Sequence, residues 1–267
     1  MTDTLVTGAS SGVGAALSRA LAARGRRVWG VARRVDLLES LRKELPAGRF
    51  VPVACDVSVA GDVDRAMTTL DAEGVTPELV ILNAGINLPD LEPCFRLAAA
   101  EEVFRVNVFG ALAWVERLLP RMLAARRGHF VAISSMSAFR TSGRSVAYAA
   151  SKASLSMAFE SLRLRYAGEP VGFTTVHLGP VDTAMWPGGK FPFLLTPDEA
   201  ARRILRAVER GRTVYDCPGP VVAAARLSAL IPAWALMKLE RLARPATKTP
   251  GQAEGGPQHV RHGSEAR

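Results

Sequence analysis

The stretch "TLVTGASSGVGAAL", residues 4–17, decides the fold. A short β-rich run, Thr4 to Thr7, enters a turn carrying Gly8, Gly12 and Gly14 in a G-x3-G-x-G spacing, and an apolar helical pattern follows. Glycines at a strand-to-helix turn permit a tight bend and close approach of the backbone. The helix N-terminus behind them offers free N–H groups and a positive dipole to a pyrophosphate. A glycine trio alone is often only a turn; at the start of an alternating chain it reads as a dinucleotide loop, formed here by Gly8, Ser10, Ser11, Gly12, Val13 and Gly14.

The alternation continues outward from that loop. Candidate strands lie at 4–7, 27–31, 49–54, 78–82, 129–134, 172–177 and 213–216, and helical patterns near 12–24, 35–44, 59–72, 98–126, 147–166 and 197–210. Strands separated by helices of ten or more residues imply right-handed crossovers and a parallel sheet with helices on both faces. The expected fold is α/β, a single doubly wound Rossmann domain over residues 1–217 with a seven-stranded, mostly parallel sheet. Residues 218–246 are expected to form an apolar helical extension, and 247–267, rich in Gly, Pro and polar residues, a disordered tail.

Composition narrows the function classes. The chain has 267 residues, 48% of them hydrophobic, a formal net charge of +9 and a pI near 10.2. Lysine supplies only 5 of the 34 basic residues, and the arginines are spread along the whole chain without a nucleic-acid-binding motif, so nucleic acid is not an expected partner. Three distant cysteines without CxxC spacing give neither a disulfide framework nor a metal site, and a reducing, cytoplasmic location is expected. Met1-Thr2-Asp3 runs straight into an apolar strand, so no signal peptide is expected, and no apolar run reaches the roughly 18 residues of a membrane span.

The end of the second strand distinguishes the two nicotinamide cofactors. NAD-binding units commonly place an acid about 20 residues after the glycines to hold the ribose 2′-hydroxyl. Here Ala32 stands there, followed by Arg33 and Arg34, whose guanidinium forks suit a 2′-phosphate, and NADP(H) is favoured over NAD(H).

"YAASK", residues 148–152, adds chemistry. Tyr148 and Lys152 lie at i and i+4, about 5–6 Å apart at Cβ on one helix face. A free phenol is ionised in roughly one molecule per thousand at pH 7, and bringing its pKa near 7 requires about 4 kcal/mol. One unit charge at 4 Å supplies about that much at an effective dielectric of 20. The pair is therefore a candidate general acid/base.

With "TGASSGVG" at 7–14, "CDV" at 55–57, "NAG" at 83–85, "NVFG" at 107–110, "SS" at 134–135 and "YAASK" at 148–152, residues 4 to about 216 resemble the short-chain dehydrogenase/reductase family in motif order and spacing. The resemblance implies that Tyr148 is the acid/base, that Lys152 lowers its pKa and holds the nicotinamide ribose, and that Ser135, 13 residues before the tyrosine, hydrogen-bonds the substrate oxygen. It matches Asn107 to the helix asparagine that organises a water chain to the lysine. It places Asp56 and Val57 beside the adenine, and Asn83, Ala84 and Gly85 around the ribose and fourth strand. In "HLGPVDT", 177–183, Gly179, Val181 and Thr183 match the segment at the nicotinamide amide, while Leu178 stands at the usual proline position and removes a rigid φ. Pairing through the helix containing "SKASLSMAF", 151–159, implies a homodimer or homotetramer.

Other residues read more plainly. His129 and His177 are expected as packed or surface histidines, and Cys55 and Cys217 as small core hydrophobes. The apolar loop "AMWPGGKFPFLL", 184–195, is either a mobile lid over an apolar ketone or alcohol or a loop packed on the core. Arg140 and Arg144, between Ser135 and Tyr148, could meet an acidic substrate group, but read first as solvent-exposed. Within 221–244, Leu227, Leu230, Ile231, Trp234 and Met237 follow a helical stripe, which Pro232 should kink or split. Arg226, Lys238, Arg241 and Arg244 give this segment a basic side. It is expected to form a cover that shapes the substrate side or docks on an apolar surface, folding back on the domain or a subunit partner, with peripheral membrane contact as the other option. The leading function is an NADP(H)-dependent oxidoreductase acting on a small apolar carbonyl or alcohol. The alternatives are a non-catalytic NADP(H) sensor, whose hallmark would be loss of the Ser, Tyr or Lys, and a membrane-surface or interaction protein on the same fold.

Overall fold

The computed structural model of the protein describes residues 2–88, 90–91, 94–140, 145–185, 191 and 193–243. Trp186, Gly188 and Gly189 of the apolar loop, Arg144, Arg244 and the expected tail at 247–267 lie outside the described residues.

The chain alternates as its pattern demands: β1 (Asp3–Thr7), α1 (Gly12–Ala23), β2 (Arg27–Ala32), α2 (Val35–Glu44), β3 (Phe50–Ala54), α3 (Ala60–Ala72) and β4 (Leu79–Leu82). Next come α4 (Leu97–Phe104), a π-helical turn (Arg105–Phe109), α5 (Gly110–Ala124), β5 (Gly128–Ser135) and a 3-10 turn (Met136–Ala138). They are followed by α6 (Val146–Arg165), β6 (Val171–Leu178), α7 (Pro197–Glu209), β7 (Val214–Cys217), α8 (Gly219–Ser228) and α9 (Ala233–Ala243). The chain divides after Leu230: the first unit holds everything from β1 through α8, and the second contains α9.

The sheet has seven strands in the order β3-β2-β1-β4-β5-β6-β7, and each neighbouring pair is parallel. The order reverses between β1 and β4, and such a switch point opens a crevice at the carboxyl ends of the strands. Alternating side chains fill two cores. Leu5, Trp29, Val80 and Phe130 face Trp114 of α5 and Phe159 of α6. Val6, Val28, Ile81 and Val131 face Leu17 of α1 and Ile204 of α7. Trp29, Trp114, Phe130 and Phe159 are fully buried, and each such side chain contributes about 1.5–3 kcal/mol by leaving water.

Two elements differ from the expectation. The single helix read at 98–126 is interrupted by the π turn at Arg105–Phe109, which carries the buried Asn107. Here local periodicity yields to side-chain bonding, because Asn107 is tied to the backbone of Ile86. The pattern at 221–244 is split into α8 and α9 around Pro232, which cannot donate a helical hydrogen bond. The expected continuous face is thereby divided, and within the first unit Leu227 and Leu230 are exposed rather than covered. Among the described residues no helix is long and apolar enough to cross a membrane.

Candidate active site

The glycine loop leaves β1 at the switch point. Gly8 and Gly12 have φ of +68° and +53°, values a side chain rarely adopts. A Cβ on Gly14 would sit 2.1 Å from the Gly8 carbonyl oxygen, so only glycine lets α1 start this close to the loop. Asn83 clasps the loop from β4: its N–H donates to Thr7 Oγ1 at 3.0 Å, and its Nδ2 to the Thr7 carbonyl at 3.0 Å. Ala84 N–H donates to the same hydroxyl. Thr183 approaches from the opposite side, with its Cγ2 3.1 Å from where a Gly12 Cβ would lie.

The end of β2 supplies positive charge to this loop. Arg34 Nη2 donates to Ser11 Oγ at 2.6 Å and to Ser10 Oγ at 3.0 Å, while Arg33 Nη1 lies 3.6 Å from Asp56 Oδ2. Burial alone would raise the Asp56 pKa. Hydrogen bonds from Ser58 Oγ and N–H, with the Arg33 guanidinium, hold it below the usual carboxylate range. Val57 is buried against Gly110, whose missing side chain would meet the Val57 carbonyl at 2.7 Å. Two guanidinium groups and two serine hydroxyls beside a helix N-terminus form a donor set that fits a dinucleotide carrying a 2′-phosphate.

The candidate catalytic residues meet at the carboxyl end of β5 and the first turns of α6. Ser145 caps α6, accepting from Tyr148 N–H at 3.2 Å. The fully buried Asp90 accepts from the N–H groups of Val146 (3.1 Å) and Ala147 (2.6 Å) and from Ser145 Oγ at 3.3 Å. A carboxylate here satisfies orphan helix donors and complements the dipole, fixing the turn that carries Tyr148. Ser135 is buried at the end of β5 and accepts from Ser137 N–H at 3.1 Å. Ser134 takes a different part: it is hydrogen-bonded to the Lys152 carbonyl at 3.0 Å and to Ser156 at 2.8 Å, on the α6 side. Ser135 Oγ, by contrast, accepts from Ser137 N–H and is hydrogen-bonded with Tyr148.

Lys152 is buried, and its Nζ donates to the Ile133 carbonyl at 2.9 Å. A side chain on Gly85 would come within 3.3 Å of both Lys152 Nζ and Asn107 Oδ1, so these groups share one small space. Asn107 Oδ1 accepts from Ile86 N–H at 2.8 Å, and its Nδ2 donates to the Ile86 carbonyl and to Ser151 Oγ, both at 3.0 Å. Burial lowers the Lys152 pKa to about 8. Burial raises that of Tyr148 above its usual value, and a hydrogen bond with Ser135 draws it partly back. This differs from a phenol brought near pH 7 by its lysine. Lys152 Nζ stands 5.8 Å from the tyrosine ring centroid and is spent on a carbonyl, so desolvation dominates.

The third side of the site is the end of β6. Leu178 pairs with Ser135 and with Cys217, extending the ladder one residue beyond where a proline would interrupt it. Gly179 N–H donates to the Cys217 carbonyl at 2.7 Å, and Val181 bridges to Leu195, closing the 184–195 loop at its base. Sequence reading missed the next shell. His177 Nδ1 lies 2.9 Å from Asp216 Oδ1 and its Nε2 3.3 Å from Ser156 Oγ. Burial lowers the His177 pKa, against the opposing pull of Asp216. Asp90, Ser156 and Asp216 carry no motif, and only their placement in the fold exposes them. His129 is hydrogen-bonded to Thr174, Cys55 and Cys217 are buried, and Cys94 is exposed; burial raises the Cys55 pKa to about 12. Among the described residues there is no metal-ligating cluster.

A doubly wound sheet with a glycine loop at its switch point defines a nucleotide-binding α/β protein, and comparison with known proteins narrows the class. The short chain dehydrogenase family profile matches residues 3–188, and the chain belongs to this oxidoreductase family. An uncharacterized oxidoreductase from Myxococcus xanthus is 34% identical over 232 residues, covering 85% of this chain and 92% of that protein. A fatty acyl-CoA reductase from Acinetobacter baylyi is 30% identical over 211 residues, 76% of this chain and 72% of that one. The crystal structure of a Burkholderia cenocepacia short chain dehydrogenase in complex with NADP superposes with a TM-score of 0.76 at 28% identity, covering 91% of this chain and 98% of that one.

Proposed function

We propose that the protein is an NADP(H)-dependent oxidoreductase that moves a hydride between the nicotinamide and the carbonyl carbon of an apolar ketone, or the corresponding alcohol. The observation that carries this reading is the convergence of Ser135, Tyr148, Lys152 and Asn107 at the end of β5, beside the glycine loop of β1. Arg33 and Arg34 beside Ser10 and Ser11 support the phosphorylated cofactor, as does NADP in the Burkholderia relative.

When bound, the nicotinamide supplies the hydride. In the reducing direction, Tyr148 gives its phenolic proton to the carbonyl oxygen as alkoxide charge builds, and the Ser135 hydroxyl donates a hydrogen bond to that oxygen. A raised phenol pKa keeps Tyr148 protonated at neutral pH, ready to act as the acid. Lys152, mostly protonated at pH 7 with a pKa near 8, stabilises the phenolate that remains. Asn107 holds Ile86, and with it the Gly85 turn that borders the ammonium.

We place residues 1–217 as the catalytic domain and 218–246 as its helical extension. The unpaired cysteines suit a reducing compartment, the cytoplasm. The reading is tested by assaying purified protein with NADPH and NADH against apolar ketones, aldehydes and their alcohols. NADPH-dependent reduction of apolar carbonyls, with NADH much poorer, is expected. No turnover with either cofactor in either direction would overturn it.

A further inference from the structure

A row of polar side chains crosses the sheet behind the proposed reaction centre. Ser134 of β5, His177 of β6 and Asp216 of β7 are register neighbours on three adjacent parallel strands. His177 Nδ1 lies 2.9 Å from Asp216 Oδ1, and its Nε2 3.3 Å from Ser156 Oγ on α6. Ser156 Oγ lies 2.8 Å from Ser134 Oγ and 2.8 Å from the Lys152 carbonyl, which Ser134 Oγ also reaches at 3.0 Å. Consecutive residues of β5 thereby hold Lys152 at both ends. The Ile133 carbonyl accepts from its Nζ, and the Ser134 hydroxyl meets its backbone carbonyl.

The chemistry of the row fixes which way its protons point. An ionised carboxylate can only accept, so Asp216 holds the imidazole proton on Nδ1. Nε2 is then an acceptor, and the Ser156 hydroxyl donates to it. Each serine has one proton to give. With the Ser156 proton turned toward His177, Ser134 is the hydroxyl left to reach the Lys152 carbonyl. Without His177, either hydroxyl could take that carbonyl and the pair would have no fixed direction. Asp216 is itself pinned by Arg226 of α8, through Nε at 2.9 Å and Nη2 at 3.2 Å. His177 is buried, so water does not compete for its bonds.

We infer that His177 is a positioning residue for the proposed hydride transfer: held by Asp216, it orients the Ser156 and Ser134 hydroxyls that lock Lys152 to β5. Its effect on turnover rests on the proposed role of Lys152, whereas the lock itself does not. Tyr148 lies one turn before Lys152 on α6, and Ser135 follows Ser134 on β5. The same lock therefore sets how these three groups face one another.

The test compares the full chain with His177→Phe, Ser156→Ala, the double variant, and His177→Gln, which keeps a polar group facing Ser156. His177→Phe strands no charge, because Asp216 keeps Arg226. Each of the first two should lower kcat for NADPH-dependent ketone reduction by about 10- to 100-fold, with KM and NADPH affinity within a few-fold of wild type. The double variant should cost no more than the larger single loss, and His177→Gln should retain a higher rate than His177→Phe. Lysine-selective 13C NMR reads the lock without turnover, since the chain has five lysines and Lys152→Met assigns the signal. The Lys152 titration midpoint should rise by at least about 0.5 in pH in both single variants, as water reaches the loosened ammonium. Unchanged kcat and midpoint in either single variant, additive losses in the double variant, or loss of NADPH binding together with kcat would overturn the inference. Midpoints that move in both variants of a protein that reduces no carbonyl would support the lock and instead remove the hydride-transfer reading.

Discussion

Lys152 carries a cost in stability that its proposed role would explain. Its ammonium is buried against the Ile133 carbonyl, and burial brings its pKa from about 10.5 to about 8. Between those values the unfolded chain binds more protons than the folded one, so stability rises with pH across that window. Below pH 8 the full cost is present, on the order of 3 kcal/mol. Lys152→Met should therefore abolish turnover and yet raise the unfolding free energy of the cofactor-free protein at pH 7 by about 1–3 kcal/mol, after allowing for the carbonyl left without its donor. The difference from wild type should shrink as pH approaches 10. Denaturant titrations at pH 7 and 9.5 check this, and a variant less stable than wild type at pH 7 would contradict it. The same residue marks a limit of sequence reading. Spacing alone placed Tyr148 and Lys152 on one face, as the structure does. The direction of the tyrosine shift depends on how deeply β5 and α6 bury both groups, which spacing does not encode.

At the scale of elements, the β2–α2 turn makes the sharpest prediction. Arg33 and Arg34 directly follow Ala32, which stands at the position of the missing acid, and Arg34 already reaches Ser10 and Ser11 of the glycine loop. Hydrogen bonds to a charged group contribute about 1.5–3 kcal/mol, so Arg33→Ala should weaken NADPH binding by roughly 10- to 150-fold and change NADH binding little. Arg34→Ala should act the same way. Fluorescence titration showing equal losses for the two cofactors would remove the 2′-phosphate role. Strands and most helix limits were legible because buried parallel strands are continuous apolar runs and because Thr196-Pro197 and Ser145 are local capping signals. The π turn at Arg105–Phe109 was not legible, since it depends on Asn107 meeting Ile86 across 21 residues. Nor was Asp90 legible as the anchor of α6, a contact made 56 residues along the chain.

For the whole molecule, α4, the π turn and α6 expose the large apolar side chains Leu97, Phe109, Met157 and Leu164, and Leu97 and Phe109 line one apolar groove together with Val146. Monomeric proteins seldom leave contiguous apolar surface of this kind open. We expect light scattering at micromolar concentration to give a dimer or tetramer, and Met157→Glu with Leu164→Glu to shift it toward monomer; a wild-type protein that is monomeric throughout would reject this interface. The order and spacing of the motifs made the family legible before any geometry. The apolar loop at 184–195 was legible as a candidate pocket wall; that Met136 and Ala224 meet Phe193 beside α8 was not, because only the fold brings them together. What the whole account requires is that one phenol carry the proton on a scaffold that binds NADPH without it. The most direct measurement is therefore kcat on a reduced ketone together with NADPH affinity for Tyr148→Phe. Turnover should fall by at least about 100-fold with NADPH affinity within a few-fold of wild type, whereas a variant keeping a tenth or more of the wild-type rate would contradict the account.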